Sequence, residues 1–214
     1  MTHKISLGVF LVLFIILLLY LFIRPNIHVV IPKKVYRSAQ LSPGDLVYFI
    51  HKEGIKSVIN LRGGDDNNDW YRDEVNAVQS SGIHYYHLQM NAYQITTASN
   101  LQALVNLIQT APQPILFHCA GGSDRTGLAS ALTLILEQNA DLATAKQQYT
   151  WPYLVIYNDS TALLTMPYYE KWLEQNNLSS NRDNLLRWIG QLKAGVNYPC
   201  DWYDGNCLAH SQFK

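Results

Sequence analysis

The chain has 214 residues, 48% of them hydrophobic and 15% charged, and its 16 basic and 16 acidic side chains cancel to a formal net charge of zero. That length gives one domain of ordinary size with enough apolar material for a single core, and the charge balance gives no reason to expect nucleic acid as a partner. The three cysteines lack the paired spacing of a zinc site, and no internal repeat or low-complexity tract interrupts the chain.

The first predicted element is the uncharged run over residues 5–23, ISLGVFLVLFIILLLYLFI. As a helix it reaches about 28 Å, close to the ~30 Å hydrocarbon thickness of a bilayer, so it predicts a single transmembrane helix. The following RPNIHVVIPKK offers no small-x-small cleavage site, which favours an uncleaved anchor over a removed signal peptide. The expected organisation is a tail and anchor over residues 1–24, a linker over 25–34, a domain over 35–195 and a C-terminal tail over 196–214. Lys4 on one side of the run against Arg24, Lys33 and Lys34 on the other would keep the domain cytoplasmic. Against this, Cys200 and Cys207 in YPCDWYDGNCLAH are close enough to close a small disulfide loop, which suits an oxidising compartment. The balance struck here is a single-pass inner (plasma) membrane protein with its domain extracytoplasmic.

Within the domain, residues 35–39 form a short strand, and Ser42-Pro43-Gly44-Asp45 opens a helix that continues through 46–52. Residues 57–61 (SVINL) are a β-branched run between glycines and predict a buried strand. A helix over 73–80, a strand over 84–88 and an amphipathic helix over 99–109 follow, then a buried strand over 114–117 (PILF) and an apolar helix over 126–136. From residue 140 onward the chain reads as helices. Strands alternating with helices predict an α/β fold, a central mostly parallel sheet flanked by helices.

The segment HCAGGSDRTG, residues 118–127, lies between that last strand and its helix. A turn feeding a helix points unpaired N–H groups inward, where the helix dipole adds positive potential, so an anion is welcome there. Gly121 and Gly122 allow a tight curl that converges the main-chain donors of Ala120, Gly121, Gly122 and Ser123. Arg125 supplies a planar charged fork for two oxygens of a phosphate. A cysteine in such a field, here Cys119, is favoured as the thiolate and faces the phosphorus of a bound ester as a nucleophile.

C-x5-R followed by Thr-Gly resembles the signature loop of the cysteine-based protein tyrosine and dual-specificity phosphatases. The stretch VYRSAQLSPGDLVYFIHKEGIKSVINLRG, residues 35–63, is similar to the opening of their bacterial dual-specificity-like members. The resemblance implies a dual-specificity phosphatase-like fold and a cysteinyl-phosphate intermediate hydrolysed by water, with no metal and no cofactor. By position it makes Cys119 the nucleophile, Arg125 the phosphate clamp, Thr126 the hydroxyl that steadies the thiolate and its departure, and His118 the residue that organises the loop.

The family usually supplies a general acid from a mobile loop about thirty residues before the cysteine. Here that stretch is QMNAYQITTAS, residues 89–99, which holds no carboxylate. Asp124, inside the signature loop as in the similar pattern of myotubularin-like phosphoinositide phosphatases, is the leading substitute, since a bound phosphate raises the pKa of a neighbouring carboxyl. Pairing with Arg125 or capping of the following helix is its structural alternative. Asp65, Asp66 and Asp69 in GGDDNNDW are the next candidates, Arg62 is a candidate pocket contact, and the aromatic segment 149–159 is a candidate wall of the cleft. These readings converge on a monomeric, membrane-anchored phosphomonoesterase acting on a phosphotyrosine-type protein or a phosphoinositide-like lipid. A catalytically weak or dead phosphate-binding module is the alternative.

Overall fold

The run PILF forms the middle of the sheet because it is apolar on both faces and can be covered from both sides. The computed structural model describes residues 7–23 and 25–192. In chain order its elements are α1 (Leu7–Ile23), β1 (His28–Ile31), β2 (Val35–Ser38), α2 (Pro43–Glu53), β3 (Ser57–Asn60), α3 (Asp69–Ser80), β4 (His84–His87), α4 (Ala98–Thr110), β5 (Ile115–His118), α5 (Asp124–Gln138), α6 (Leu142–Lys146), α7 (Thr161–Gln175) and α8 (Arg182–Gln191). Two single 3₁₀ turns, Gln147–Tyr149 and Trp151–Tyr153, lie between α6 and α7.

The sheet order is β1-β2-β5-β3-β4, parallel throughout except for the antiparallel pair β1 and β2. On β5 the side chains alternate between two cores, Ile115 and Phe117 packing with α4, α5, α7 and α8, and Leu116 packing with α2 and α3. Val58 and Ile59 on β3 split in the same way, which is why both strands read as continuous apolar runs rather than alternating ones. Helix α5 is buried on every side from Thr126 to Leu136, so it shows no polar stripe.

Three expectations change. The segment read as a linker over 25–34 contains β1, paired in register with β2 through His28 and Arg37. Helix α3 begins at Asp69, a turn earlier than its apolar pattern, because Arg72 bridges back to Asp69 and to the carbonyl of Asp66, and an acidic first residue suits a helix N-terminus. The membrane anchor is overturned, and with it the inner-membrane, extracytoplasmic placement. Helix α1 covers 17 residues, or about 26 Å at 1.5 Å per residue, and no helix among the described residues is long and apolar enough to cross a membrane. Cys200 and Cys207 lie outside the described residues.

Candidate active site

The signature loop leaves the carboxyl end of the central strand, flanked in register by Ser38 of β2 and Asn60 of β3, each opposite His118. Cys119 follows as a free, buried thiol. At Gly122 the backbone has φ +68°, and a side chain there would come within 2.5 Å of the Ala39 nitrogen and 2.7 Å of the Ser38 carbonyl oxygen. Only glycine gives both that conformation and that approach.

Buried groups hold the loop from behind by its carbonyls. Arg37, fully buried on β2, donates from Nη2 to the carbonyls of Gly122 (2.8 Å) and Ser123 (3.4 Å), and from Nη1 to the carbonyl (2.6 Å) and Oε1 (3.2 Å) of Gln148. Its guanidinium lies 4.2 Å from the centre of the Tyr153 ring. Burial lowers its pKa to about 10, against the opposing attraction of Tyr153 and Cys119, so it stays a cation at neutral pH. Asn26 donates from Nδ2 to the carbonyls of Gly121 (2.9 Å) and Tyr153 (3.1 Å), and the Gln40 main-chain N–H donates to the Ala120 carbonyl (3.1 Å). A trans peptide sets each N–H opposite its carbonyl, so anchoring the carbonyls of residues 120–122 turns the N–H groups of Gly121, Gly122 and Ser123 to the other side of the loop.

Buried polar atoms with no partner among the described residues include Asp124 Oδ1, Arg125 Nε and Thr126 Oγ1 of the loop and first turn of α5, and Arg37 Nε, Gln40 Oε1 and His118 Nδ1 of its supports. Arg125 is half-buried and fixed by Nη1 donating to the carbonyls of Met90 (3.2 Å) and Arg62 (3.4 Å). Burial pushes the Asp124 carboxyl up, with Ser160 and Arg125 opposing. Gly127 lets α5 approach the 3₁₀ turn behind it, since a Cβ there would lie 3.0 Å from Tyr149 Cβ. Arg62 reaches the site by its carbonyl, while its guanidinium stacks 3.7 Å from the Trp70 ring centre. Asp65 and Asp66 are exposed on the β3–α3 loop, where Asp65 caps the Asn67 N–H (2.9 Å), and Asp69, the exposed first residue of α3, pairs with Arg72.

Glu74 of α3 is a residue that sequence reasoning missed. It is buried, and its Oε1 accepts from His118 Nε2 (3.0 Å), the Tyr85 hydroxyl (2.7 Å) and Asn60 Nδ2 (3.1 Å), while Oε2 accepts from Gln40 Nε2. Burial alone would raise its pKa, but the hydrogen bond and charge of His118, with the bonds from Tyr85 and Gln40, outweigh that and hold it below the ordinary glutamate value. The signal was a carboxylate three and four residues before Ala77 and Val78, on the apolar face of its helix. For Arg37 it was a lone arginine inside a strand buried at every residue.

The stretch 89–97 lies beside Arg125 and is tied to α7. The Thr161 N–H donates to the Ala92 carbonyl (2.8 Å), the Thr96 N–H donates to Thr165 Oγ1 (3.0 Å), and the Thr96 and Thr161 hydroxyls share a 2.8 Å hydrogen bond. Its Tyr93 is exposed and meets Tyr157 edge to face at 6.1 Å. Partial desolvation raises the Tyr93 phenol, with Asp124 and Tyr157 adding and Arg125 opposing.

The sequence model of the tyrosine phosphatase family matches residues 25–150, more than half of the chain. The chain belongs to that family. No curated protein matches it in sequence. Among solved structures, this phosphatase is similar to the core catalytic domain of the PP-IP phosphatase SIW14 from S. cerevisiae, at 20% identity and TM-score 0.55 over 72% of this chain and 95% of that one. It is similar to P. aeruginosa TpbA at 19% identity and TM-score 0.55 over 77% and 91%, and to PTPMT1 at 16% and 0.52 over 71% and 99%. At these identities the likeness is one of fold. Family membership makes the chain a cysteine-dependent phosphomonoesterase.

Proposed function

We propose that this enzyme hydrolyses singly phosphorylated esters with an aromatic alcohol, of the phosphotyrosine type, through a cysteinyl-phosphate formed on Cys119. Arg125 and the N–H groups of Gly121, Gly122 and Ser123 bind the phosphoryl oxygens. Cys119 Sγ attacks phosphorus as the P–O bond to the leaving group breaks, and Asp124 delivers its proton to the departing oxygen. A water then attacks the thiophosphate, the now ionised Asp124 takes its proton, and inorganic phosphate leaves as the thiolate is restored with help from the Thr126 hydroxyl.

The observation that carries this reading is the two-sidedness of the loop. Arg37, Asn26 and Gln40 hold its carbonyls, which turns the N–H groups of Gly121, Gly122 and Ser123 to the other side, and Asp124 Oδ1, Arg125 Nε and Thr126 Oγ1 have no partner among the described residues. The choice of substrate class is supported by what surrounds those atoms. Residues 120–124 contain no cation, and Tyr93 meets Tyr157 and feels the charges of two carboxylates, Asp124 and Asp159. A headgroup with several phosphates requires several cations; one aryl phosphate requires one clamp and an aromatic neighbour.

The test is steady-state turnover by the full-length chain on phosphotyrosine peptides, phosphoserine peptides, phosphoinositides and para-nitrophenyl phosphate. The expected order places the aryl esters first, and Cys119→Ser is expected to abolish turnover on all of them. Preference for a multiply phosphorylated inositide would overturn the substrate class. Undiminished activity in Cys119→Ser would overturn the mechanism.

A further inference from the structure

Behind the nucleophile, one buried carboxylate is joined to the signature loop by three separate routes. The first runs through His118, whose Nε2 meets Glu74 Oε1 at 3.0 Å and whose next residue is Cys119. The second runs through Gln40, whose side chain donates to Glu74 while its main-chain N–H donates to the Ala120 carbonyl at 3.1 Å. The third runs through Asn60. Its Nδ2 donates to Glu74, its Oδ1 accepts from the N–H groups of Arg62 (2.7 Å) and Gly63 (3.2 Å), and the Arg62 carbonyl accepts from Arg125. Tyr85 on β4 completes the set with its hydroxyl 2.7 Å from Oε1.

A glutamate is almost never this buried without partners, and this one binds groups from the β2–α2 loop, β3, β4 and β5. We propose that Glu74 is a positioning residue for phosphoryl transfer, its buried carboxylate fixing the tautomer of His118 and locking the segments that carry Cys119, the Gln40 contact to Ala120 and the Arg62 contact to Arg125. None of these network residues touches the phosphate in the reading above, on which this inference rests. Glu74 acts only through the groups it holds.

The chemistry of the acceptor gives the proposal its sign. An ionised carboxylate accepts hydrogen bonds and donates none, so the His118 ring presents a protonated Nε2 to it. Nδ1, the ring nitrogen nearer the main chain, has no partner among the described residues. A bare acceptor is less costly to bury there than an unpartnered N–H beside the nucleophile. Three donors converge on the single oxygen Oε1, a load that suits a full negative charge better than a neutral amide oxygen.

Two measurements decide the matter. Nitrogen-15 histidine NMR of the full-length protein in mildly alkaline buffer, with the His118 signal assigned by its loss in His118→Gln, is expected to show the Nε2–H tautomer. The Nδ1–H tautomer would overturn the proposal. Glu74→Gln keeps the shape and removes the charge. It is expected to lower kcat for para-nitrophenyl phosphate by roughly tenfold or more while KM stays within about twofold, because the reacting groups drift while phosphate binding remains. A folded variant with kcat within about twofold of the parent chain would overturn the proposal, and if the variant does not fold the tautomer measurement alone decides. A parent chain inactive on every ester would overturn the proposed function and the catalytic consequence of Glu74, while the tautomer would still report on the His118 contact.

Discussion

Two loops border the same arginine, and they are held in opposite ways. The signature loop is gripped from behind through its carbonyls by Arg37, Asn26 and Gln40, which turns the N–H groups of Gly121, Gly122 and Ser123 to the other side. The stretch 89–97 is stitched to α7 by Thr96, Ala92 and their partners Thr161 and Thr165, and gives Arg125 only the Met90 carbonyl. One loop is built to present groups and the other to stand as a wall. In a family that usually brings its acid on a mobile loop, a stitched wall without a carboxylate is what leads the proposed mechanism to assign that task to Asp124, in the first turn of α5.

The largest expected effect comes from removing the grip on the presenting loop. Arg37→Met keeps the length of the side chain but leaves the carbonyls of Gly122 and Gln148 buried without donors. Each such group costs about 1–3 kcal/mol, so the variant is expected to lose about 2–6 kcal/mol of stability, read by urea denaturation. At a temperature where it remains folded, its kcat/KM for para-nitrophenyl phosphate is expected to fall about a hundredfold, the scale of a misplacement near 1 Å. Full activity in the folded variant would show that Gly122 and the helix N-terminus hold the loop unaided.

How much of this was legible follows from which forces act locally. β3, β5 and the C-x5-R loop were readable because apolar runs and glycine-rich turns carry their signal in adjacent residues. Helix α2 was readable from its Ser42 cap, which the structure keeps with the Asp45 N–H at 3.2 Å from the hydroxyl. β1 was hidden because HVVI is short, follows a proline and is fixed only by pairing with β2. Arg37 and Glu74 were hidden because a charged side chain inside a strand or on an apolar helix face makes sense only with partners that lie 85 and 44 residues away, Gly122 and His118. The apolar N-terminal run was over-read. Nineteen residues without charge satisfy a length criterion, but among the described residues the helix covers 17 and no helix is long and apolar enough to cross a membrane.

The next effect is smaller and depends on the substrate. If the acid sits in α5, Asp124→Asn is expected to slow phenyl phosphate about a hundredfold and para-nitrophenyl phosphate less than about fivefold, because an activated leaving group departs without a proton. Burial raises the Asp124 pKa, so the carboxyl keeps its proton to higher pH than an ordinary aspartate. Acid catalysis is then lost as pH rises through that raised value, and the basic limb of the kcat/KM profile should disappear in the asparagine variant. Single-turnover comparison of the two esters isolates the chemical step. Equal losses on both esters with the limb intact would return Asp124 to a structural role beside Arg125.

The smallest expected effect tests the wall. Thr96→Val conserves shape and keeps the main-chain bond from residue 96 to Thr165, but removes the hydroxyl that meets Thr161 at 2.8 Å. Thr161 is fully buried, so its hydroxyl is left without that partner and stability should drop by about 1 kcal/mol. If residues 89–97 only border the site, loosening them in this way changes kcat by less than about twofold on either phenyl or para-nitrophenyl phosphate. If they swing in to complete the reaction, the loss of the Thr96 tie alters kcat well beyond that while stability moves only slightly, and the contrast between a presenting loop and a standing one fails. Thermal unfolding and kinetics on the same preparation separate the two outcomes. A stitched loop converts a lost hydrogen bond into lost stability, whereas a moving loop converts it into a changed rate.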